Sequence, residues 1–261
     1  MQRVSDEAVP VFYGDSPRVR RVAVDRPWAW LSAGWKDLMA APGVSLAYGA
    51  LMLALSYLLL LLLVAVEVFW LVLPMTAGFF FLAPLLAVGL YETSRRLAAG
   101  APVTLKDALT AFRRNPTQLS YMGVLLGLFH LGWIRIALLI FAVFFGIGFN
   151  PTWDSIVVQL MQPDALPFWA VGTAVGAVLA AVVFAISAIS IPMLLDRDVN
   201  MFVAVATSFT AVRLNWPAMV LWAALIVAFT AFGIIPLFLG LVVTMPLIGH
   251  ATWHAYKDLV E

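Results

Sequence analysis

Six polar side chains that could take part in acid–base, ionic or metal chemistry interrupt long apolar stretches of this chain. They are Glu67, Glu92, His130, Arg135, His250 and His254. A polar group inside an apolar segment is energetically costly, so each of the six is a candidate functional residue. The chain has no cysteine, which excludes disulfides, thiolate zinc sites, iron–sulfur clusters and covalently attached haem.

Glu67 and Arg135 are the natural candidates for an ionic pair. The sequence places Arg135 near the middle of a membrane span, where an unpaired guanidinium costs about 2.5 to 3.5 kcal/mol. Glu67 closes an earlier apolar stretch at its outer end, so its carboxylate is the expected partner. The first interpretation is a buried structural pair that holds two helix pairs together, and the alternative is a proton or anion relay.

The three histidines are the candidates for cofactor binding. His250 and His254 are four residues apart and therefore share one helix face, a spacing compatible with two metal ligands. Near a membrane interface such histidines also cap carbonyls or contact water. A b-type haem would need two facing imidazoles, such as His130 with His250, but their expected depths differ. There is no HExxH motif, and we expect no metal and no other cofactor.

The sequence also lacks the motifs of the common enzyme classes. We find no Walker A loop, no GxSxG motif, no nucleotide-binding fingerprint and no paired-carboxylate motif. The segments between the apolar stretches are too short to fold into a catalytic domain. The sequence therefore predicts a protein that is not an enzyme.

The composition defines the surroundings in which these residues act. Of the 261 residues, 64% are hydrophobic and 11% are charged, with a mean hydropathy of +1.00. Soluble domains are nearer half apolar and a quarter charged, so this composition predicts an integral membrane protein with an all-α fold. The net charge of +1 gives no reason to expect a nucleic-acid partner.

Six membrane spans are predicted between Pro, Gly, Asn or charged residues. Their approximate ranges are 44–67, 70–91, 119–147, 168–195, 217–235 and 237–256. Lys and Arg concentrate in segments on one side, with 6 before the first span, 5 at 92–118, 2 at 196–216 and Lys257 in the tail. The positive-inside rule then predicts a multi-pass protein of the inner (cytoplasmic) membrane with both termini in the cytoplasm.

Three short amphipathic segments precede the odd-numbered spans. Thr104 and Asp107 open the second segment at the spacing of a capping box. In each segment the apolar residues recur with the period of one helix face. These faces are Trp28, Leu31, Trp35 and Leu38 in the first segment, Leu105, Ala108 and Phe112 in the second, and Phe202, Val205, Phe209 and Val212 in the third.

Prolines recur at matching places and predict an internal threefold repeat. Each amphipathic segment meets a helix-breaking proline (Pro42, Pro116, Pro217), and each returning span has one near its inner end (Pro84, Pro192, Pro246). After an N-terminal segment at 1–27, the predicted repeats are 28–91, 104–195 and 201–256. Parallel repeats can be related only by an axis along the membrane normal, which predicts a pseudo-threefold bundle. The alternative is that membrane helices converge on similar compositions.

Two residue types point to contacts with lipid and with other helices. The ten tryptophans lie mainly at span ends, as interfacial belts do. Gly172, Gly176 and Ala180 on the fourth span have small-xxx-small spacing, which would let another helix approach closely.

The stretches 26–38, 84–96 and 107–116 resemble a bacterial family of predicted integral membrane proteins of unknown function. Some members of that family are labelled as similar to cytochrome c oxidase subunit I. A haem–copper subunit needs more histidine ligands than the three in this chain, so the chain is not that catalytic subunit. The resemblance implies an accessory or assembly role beside a respiratory complex.

Three functions remain open from the sequence. The first is a non-enzymatic accessory subunit or assembly scaffold whose partners are the lipid bilayer and another membrane protein complex. The second is a small-solute or lipid transporter with its pathway along the pseudo-threefold axis. The third is haem or metal binding through His130, His250 and His254.

Overall fold

The computed structural model describes residues 7–8, 17–146, 158 and 160–261. Much of the predicted segment 1–27 and most of the connection predicted at 148–167 lie outside these residues. The described chain is built almost entirely from α-helices, with one two-stranded antiparallel sheet, β1 (Glu7–Ala8) and β2 (Arg18–Val19). The helices are α1 (Arg26–Ala40), α2 (Pro42–Ala65), α3 (Val72–Leu86), α4 (Val88–Ala98), α5 (Leu105–Leu109), α6 (Pro116–Phe145), α7 (Leu166–Ser187), α8 (Ser190–Asp196), α9 (Met201–Leu214), α10 (Trp216–Ile234) and α11 (Leu241–Leu259).

Prolines stand where amphipathic helices give way to long apolar ones. α2 begins at Pro42, α6 begins at Pro116, and Pro217 is the second residue of α10. Proline is tolerated in a first helical turn because its missing N–H would have no partner there. Asn115 adds a cap to α6, since its side chain accepts a hydrogen bond from the Gln118 N–H at 3.4 Å.

Two of the returning helices are broken, whereas the third is continuous. α3 contains Pro84 near its end, and α4 begins at Val88. α7 ends at Ser187, and the short α8, which contains Pro192, begins at Ser190. Pro246 instead lies inside the uninterrupted α11.

Five helical segments of the described chain are long and apolar enough to cross a membrane. The protein is therefore an all-α membrane protein, as its composition predicts. The sixth predicted span, 237–256, falls on α11, which is not among the five; its second half carries His250 and His254 and is buried against protein. The count of six spans is thus not confirmed, and the orientation of the termini stays a prediction. The five segments are Pro42–Ala65, Phe69–Ala98, Pro116–Phe145, Pro163–Asp196 and Trp216–Ile234.

Each amphipathic helix packs against the returning helix that precedes it around the bundle. α5 contacts α4, α9 contacts α7 and α8, and α1 closes the circuit by packing along α11. The predicted capping box of α5 is present, because the Thr104 side chain accepts from the Asp107 N–H and the Asp107 carboxylate accepts from the Thr104 N–H. The threefold repeat itself stays a prediction.

Only part of the predicted apolar face of α1 is buried against the rest of the protein. Leu31 and Leu38 are buried, but Trp28 and Trp35 are 55% and 47% exposed. Trp30, outside the predicted face, is buried instead. Helix α1 offers apolar surface on two sides, which is why one face does not describe it.

Both ends of the described chain are joined at one end of the bundle. β2 pairs with the C-terminal residues, since Val19 bridges Val260 and the Arg20 N–H donates to the Leu259 carbonyl at 2.9 Å. The buried Asn215 side chain donates to the Arg20 carbonyl at 2.9 Å and accepts from the Val22 N–H at 2.8 Å. We call this end, which also holds α1, α4 and α8, the charged end.

Candidate functional site

A large apolar cavity lies among the membrane-spanning helices. Its volume is about 1010 Å³, and it is partly open at the bundle surface. α3, α6, α7, α10 and α11 supply most of its walls, and no lining residue carries a charge. This volume is at the upper end of the range of small-molecule sites in proteins, roughly 300 to 1,000 Å³.

Small residues of α7 make room for this cavity. Gly172, Gly176 and Ala180 all line it, although their spacing predicted close approach of another helix. A Cβ atom added at Gly172 would meet nothing within 4 Å, and one at Gly176 would meet the Trp133 ring at 3.1 Å. Within the described chain no helix lies over Gly172, and close approach of a helix from another protein stays a prediction.

Hydroxyl groups and two helix breaks mark the part of the cavity nearest the charged end. Tyr91 and Thr252 line it there, close to the break between α3 and α4. Ser187 lines it from the last residue of α7, at the second break. Ser187 is fully buried, and its hydroxyl has no hydrogen-bond partner among the described residues. The cavity is thus predominantly apolar, with uncharged hydroxyl-bearing residues among those that line it.

A second candidate site lies on the other side of α11 and consists of Asp37, Ser45, Ser94, His250 and His254, which we call the polar array. The Ser45 Oγ is 2.9 Å from His250 Nε2, and the Ser94 Oγ is 2.8 Å from His250 Nδ1. His254 Nε2 donates to Asp37 Oδ2 at 2.8 Å. α1, α2, α4 and α11 each contribute to this array, so it forms only when the four helices meet.

The carboxylate of Asp37 fixes the direction of its bond to His254. A carboxylate can only accept, so His254 donates to it from Nε2. In the neutral imidazole of His250 one ring nitrogen donates and the other accepts, and each faces one serine hydroxyl. Burial alone would raise the pKa of Asp37, but the hydrogen bonds from His254 and Ser94 outweigh it and hold the pKa below its ordinary value.

Glu92 lies at the centre of an arginine cluster at the charged end. Its carboxylate, 3% exposed, accepts from Arg95 Nε at 2.8 Å and from Arg96 Nε at 2.9 Å, and Arg114 Nε is 3.7 Å away. The sequence analysis selected Glu92 as a candidate residue but did not predict its arginine partners. The signal was present, because Arg95 and Arg96 follow Glu92 at the helical spacings i+3 and i+4.

The predicted pair of Glu67 and Arg135 is not formed. Both residues belong to the described chain, both are exposed, and no ion pair joins them. Glu67 lies in the turn after α2 with a positive φ of 60°. Arg135 shares its helix face with Leu131 and Leu139, which are 60% and 64% exposed, so it points out of the bundle.

The level of Arg135 along the bundle follows from its neighbour Trp133. Trp133 Nε1 donates to the Pro74 carbonyl at 2.7 Å, which brings this part of α6 level with the beginning of α3. Arg135 is two residues further along α6, about 3 Å at the rise of an α-helix. It therefore lies level with the connection from α2 to α3, while α6 continues beyond it to Phe145.

The structure does not bring the three histidines together as one ligand set. Both nitrogens of His250 are occupied by serine hydroxyls, and His254 is bound to Asp37. His130 Nδ1 lies 3.1 Å from the Gly78 carbonyl. In the described part of the chain, no three His, Asp or Glu side chains are grouped as metal ligands.

An all-α bundle whose apolar spans surround an apolar cavity defines the class: this is an integral membrane protein. Residues 71–196, from the beginning of α3 to the end of α8, match the model of a family described as predicted integral membrane protein (DUF2189). The match confirms the resemblance to a family of predicted integral membrane proteins of unknown function, but not the oxidase-like label. No curated protein and no solved structure matches the chain.

Proposed function

We propose that this protein binds a membrane lipid in the cavity between its spans, and that lipid handling is its function. The observation that carries the proposal is the cavity of about 1010 Å³, lined by apolar and uncharged residues of helices long enough to cross a membrane. Water has few hydrogen-bond partners in such a space, so hydrocarbon is the favoured occupant.

Among the functions expected from the sequence, lipid transport fits this cavity better than a scaffold does. A scaffold needs only packed helices, whereas this bundle leaves space among five of them. The circuit of contacts between amphipathic and returning helices supports the proposed threefold repeat, and with it a pathway through the bundle. The accessory role and haem or metal binding have no comparable feature in the described residues, and both stay predictions.

Filling the cavity tests the proposal. Ala180→Trp places a large side chain in the cavity wall, and Ala174→Trp makes the same change at an exposed position of the same helix outside the lining. Each variant is purified from its own membranes in mild detergent and weighed by native mass spectrometry. We expect co-purifying lipid on the wild type and on Ala174→Trp, and a loss of roughly tenfold on Ala180→Trp.

The same measurement weighs any protein partner or haem. Equal lipid occupancy in the two tryptophan variants would contradict a lipid site in the cavity. A wild-type protein that carries no lipid but retains a defined protein partner would instead restore the accessory interpretation.

A further inference from the structure

Six helices of the bundle form two groups of three. α3, α6 and α7 all pack against one another, and α11 packs against both α2 and α10. Within the described chain, no helix of the first group makes more than a marginal contact with a helix of the second. The groups are joined instead at the charged end, where α4 packs against α11, and α9 packs against both α7 and α10. The cavity occupies the space between the two groups.

The cavity is closed toward the charged end. Tyr91 of α4 and Trp222 of α10 line it on that side, and both are buried. Trp222 packs edge to face against Trp30 of α1, with 5.8 Å between the ring centroids. These buried rings separate the cavity from the surroundings of the charged end.

The cavity is open on the side where α7 and α10 face each other without packing together. Val220 and Val227 of α10 both line it, yet they are 60% and 53% exposed. Trp169 of α7 and Trp216 of α10 also line it and are exposed. Among the large apolar lining residues of the described chain, Leu73 is the only other one that is well exposed. We call this gap between α7 and α10 the mouth of the cavity.

The two tryptophans show which surroundings the mouth faces. Trp216 begins α10 next to Asn215, whose side chain donates to the Arg20 carbonyl at the charged end. Trp169 lies in the first turn of α7, which runs toward the charged end, so Trp169 marks the opposite end of the mouth. Tryptophan favours the two interfaces of a bilayer, so the mouth between them faces hydrocarbon. An acyl chain can pass such an opening without leaving an apolar medium, whereas a water-soluble ligand would first lose its hydration.

We infer that the ligand enters and leaves the cavity sideways, through the mouth between α7 and α10, directly from the hydrocarbon of the bilayer. The inference rests on the proposed lipid binding and adds the route. With the route it adds the class of ligand, which is a lipid already dissolved in the membrane. Exchange of the lipid then requires that α7 and α10 stay apart, which gives the inference a direct test.

Joining α7 to α10 across the mouth is that test. The chain has no cysteine, so Ala177→Cys and Ala224→Cys together introduce the only two thiols. Both positions line the cavity near the middle of their helices and are exposed. Bis-methanethiosulfonate reagents of increasing length are tried, and the shortest one that reacts is used, because dithiothreitol can cleave its bonds again. The control pair is Leu85→Cys with Gly123→Cys, which links α3 to α6 where a Cβ atom at Gly123 would lie 3.2 Å from the Leu85 side chain.

Lipid exchange is measured in vesicles made from the deuterated total lipid extract of the producing cells. Each protein enters the vesicles with its unlabelled co-purified lipid and is re-extracted at intervals. Native mass spectrometry then gives the ratio of unlabelled to deuterated bound lipid. We expect the link between α7 and α10 to slow exchange by roughly tenfold or more, because it holds closed a gate that must admit an acyl chain. Dithiothreitol should restore the wild-type rate, and the linked control pair should exchange like the wild type.

A substitution without any link gives an independent measurement. Val227→Trp enlarges a side chain in the mouth and should also slow exchange. Val143→Trp makes the same change on α6, at a position that is 72% exposed and outside the cavity lining, and should leave the rate unchanged.

The outcomes separate this inference from the proposed function. If the linked pair at Ala177 and Ala224 and the Val227→Trp variant exchange lipid as fast as the wild type, the route is wrong while the lipid cavity stands. If the wild type binds no lipid, the lipid cavity is wrong and the route is wrong with it. Thermal unfolding before and after linking confirms that the comparison is made between folded chains.

Discussion

One face of α11 packs against the polar array, and the other borders the cavity. On the first face, α1 approaches so closely that a Cβ atom at Gly34 would lie 2.6 Å from the Ala251 nitrogen. On the second face, Met245, Ile248 and Thr252 line empty space. One helix therefore belongs to a closed, hydrogen-bonded core on one side and to an open apolar site on the other.

The difference between the faces has a physical cause. Polar groups such as His250 and Asp37 gain from being brought together, because each needs a partner that lipid cannot supply. Apolar side chains in a bilayer gain far less from contact with other helices, since lipid tails are as apolar as they are. A gap among apolar spans can persist when lipid fills it, whereas a gap in the polar array would leave donors and acceptors unsatisfied.

The largest effect is expected from adding a side chain on the packed face, which has no space for one. Gly34→Leu would force α1 away from α11, and we expect a loss of about 3 kcal/mol or a protein that does not accumulate. Gly172→Leu makes the same change in the cavity wall, where we expect less than about 1 kcal/mol. Thermal unfolding in detergent measures both, and equal losses would mean that the two regions are packed alike.

An intermediate effect is expected from removing the centre of the polar array. His250→Leu keeps the bulk of the side chain but leaves the hydroxyls of Ser45 and Ser94 without their partner, for a loss of about 2 kcal/mol. Adding Ser45→Ala removes one stranded hydroxyl and should recover part of that loss. The contrary outcome is that Ser45→Ala lowers the stability of the His250→Leu variant by as much as it lowers that of the wild type. That result would show that the bond between His250 and Ser45 contributes nothing.

The smallest effect is a pH dependence confined to the charged end. Asp258 accepts from Arg26 and from Trp30 Nε1 at 2.8 Å. Burial alone would raise the pKa of Asp258, but the hydrogen bonds from Arg26 and Trp30 hold it below its ordinary value. Its stabilisation is therefore complete above the unfolded pKa of about 4, and is lost as the pH falls through that value to the lower folded pKa.

The measurement compares unfolding of the wild type and Asp258→Asn across this window. Arg26 is well exposed, so the wild type should exceed the variant by no more than about 1 kcal/mol at neutral pH, and by nothing in strong acid. The Gly172→Leu variant changes the cavity wall, where no lining residue is charged. The pH dependence of its stability should therefore be the same as that of the wild type. A constant difference between wild type and Asp258→Asn would contradict the role of the carboxylate.

Much of the fold could be predicted because its signals are local. Composition identified the membrane class, and the prolines marked the residues where α2, α6 and α10 begin. The capping box of Thr104 and Asp107 spans one helical turn and was predicted from spacing alone. The arginines that follow Glu92 also lie within about one helical turn of it, so that part of the site could have been predicted from the sequence.

The partners of the remaining polar residues could not be predicted from the sequence. His250 contacts Ser94 and Ser45 across 156 and 205 residues of chain, and nothing near His250 in the sequence identifies them. The pairing of Glu67 with Arg135 was assigned by charge alone, and the rotation of α6 instead turns Arg135 outward.

The sequence by itself determined that the chain is an apolar helical membrane protein, and it located most of its helix boundaries, because hydropathy and capping act within a few turns. The tertiary structure decided which faces meet. The rotation and depth of each helix depend on all its neighbours at once, so only the assembled bundle joins His250 to Ser94 and leaves a cavity beside Gly172.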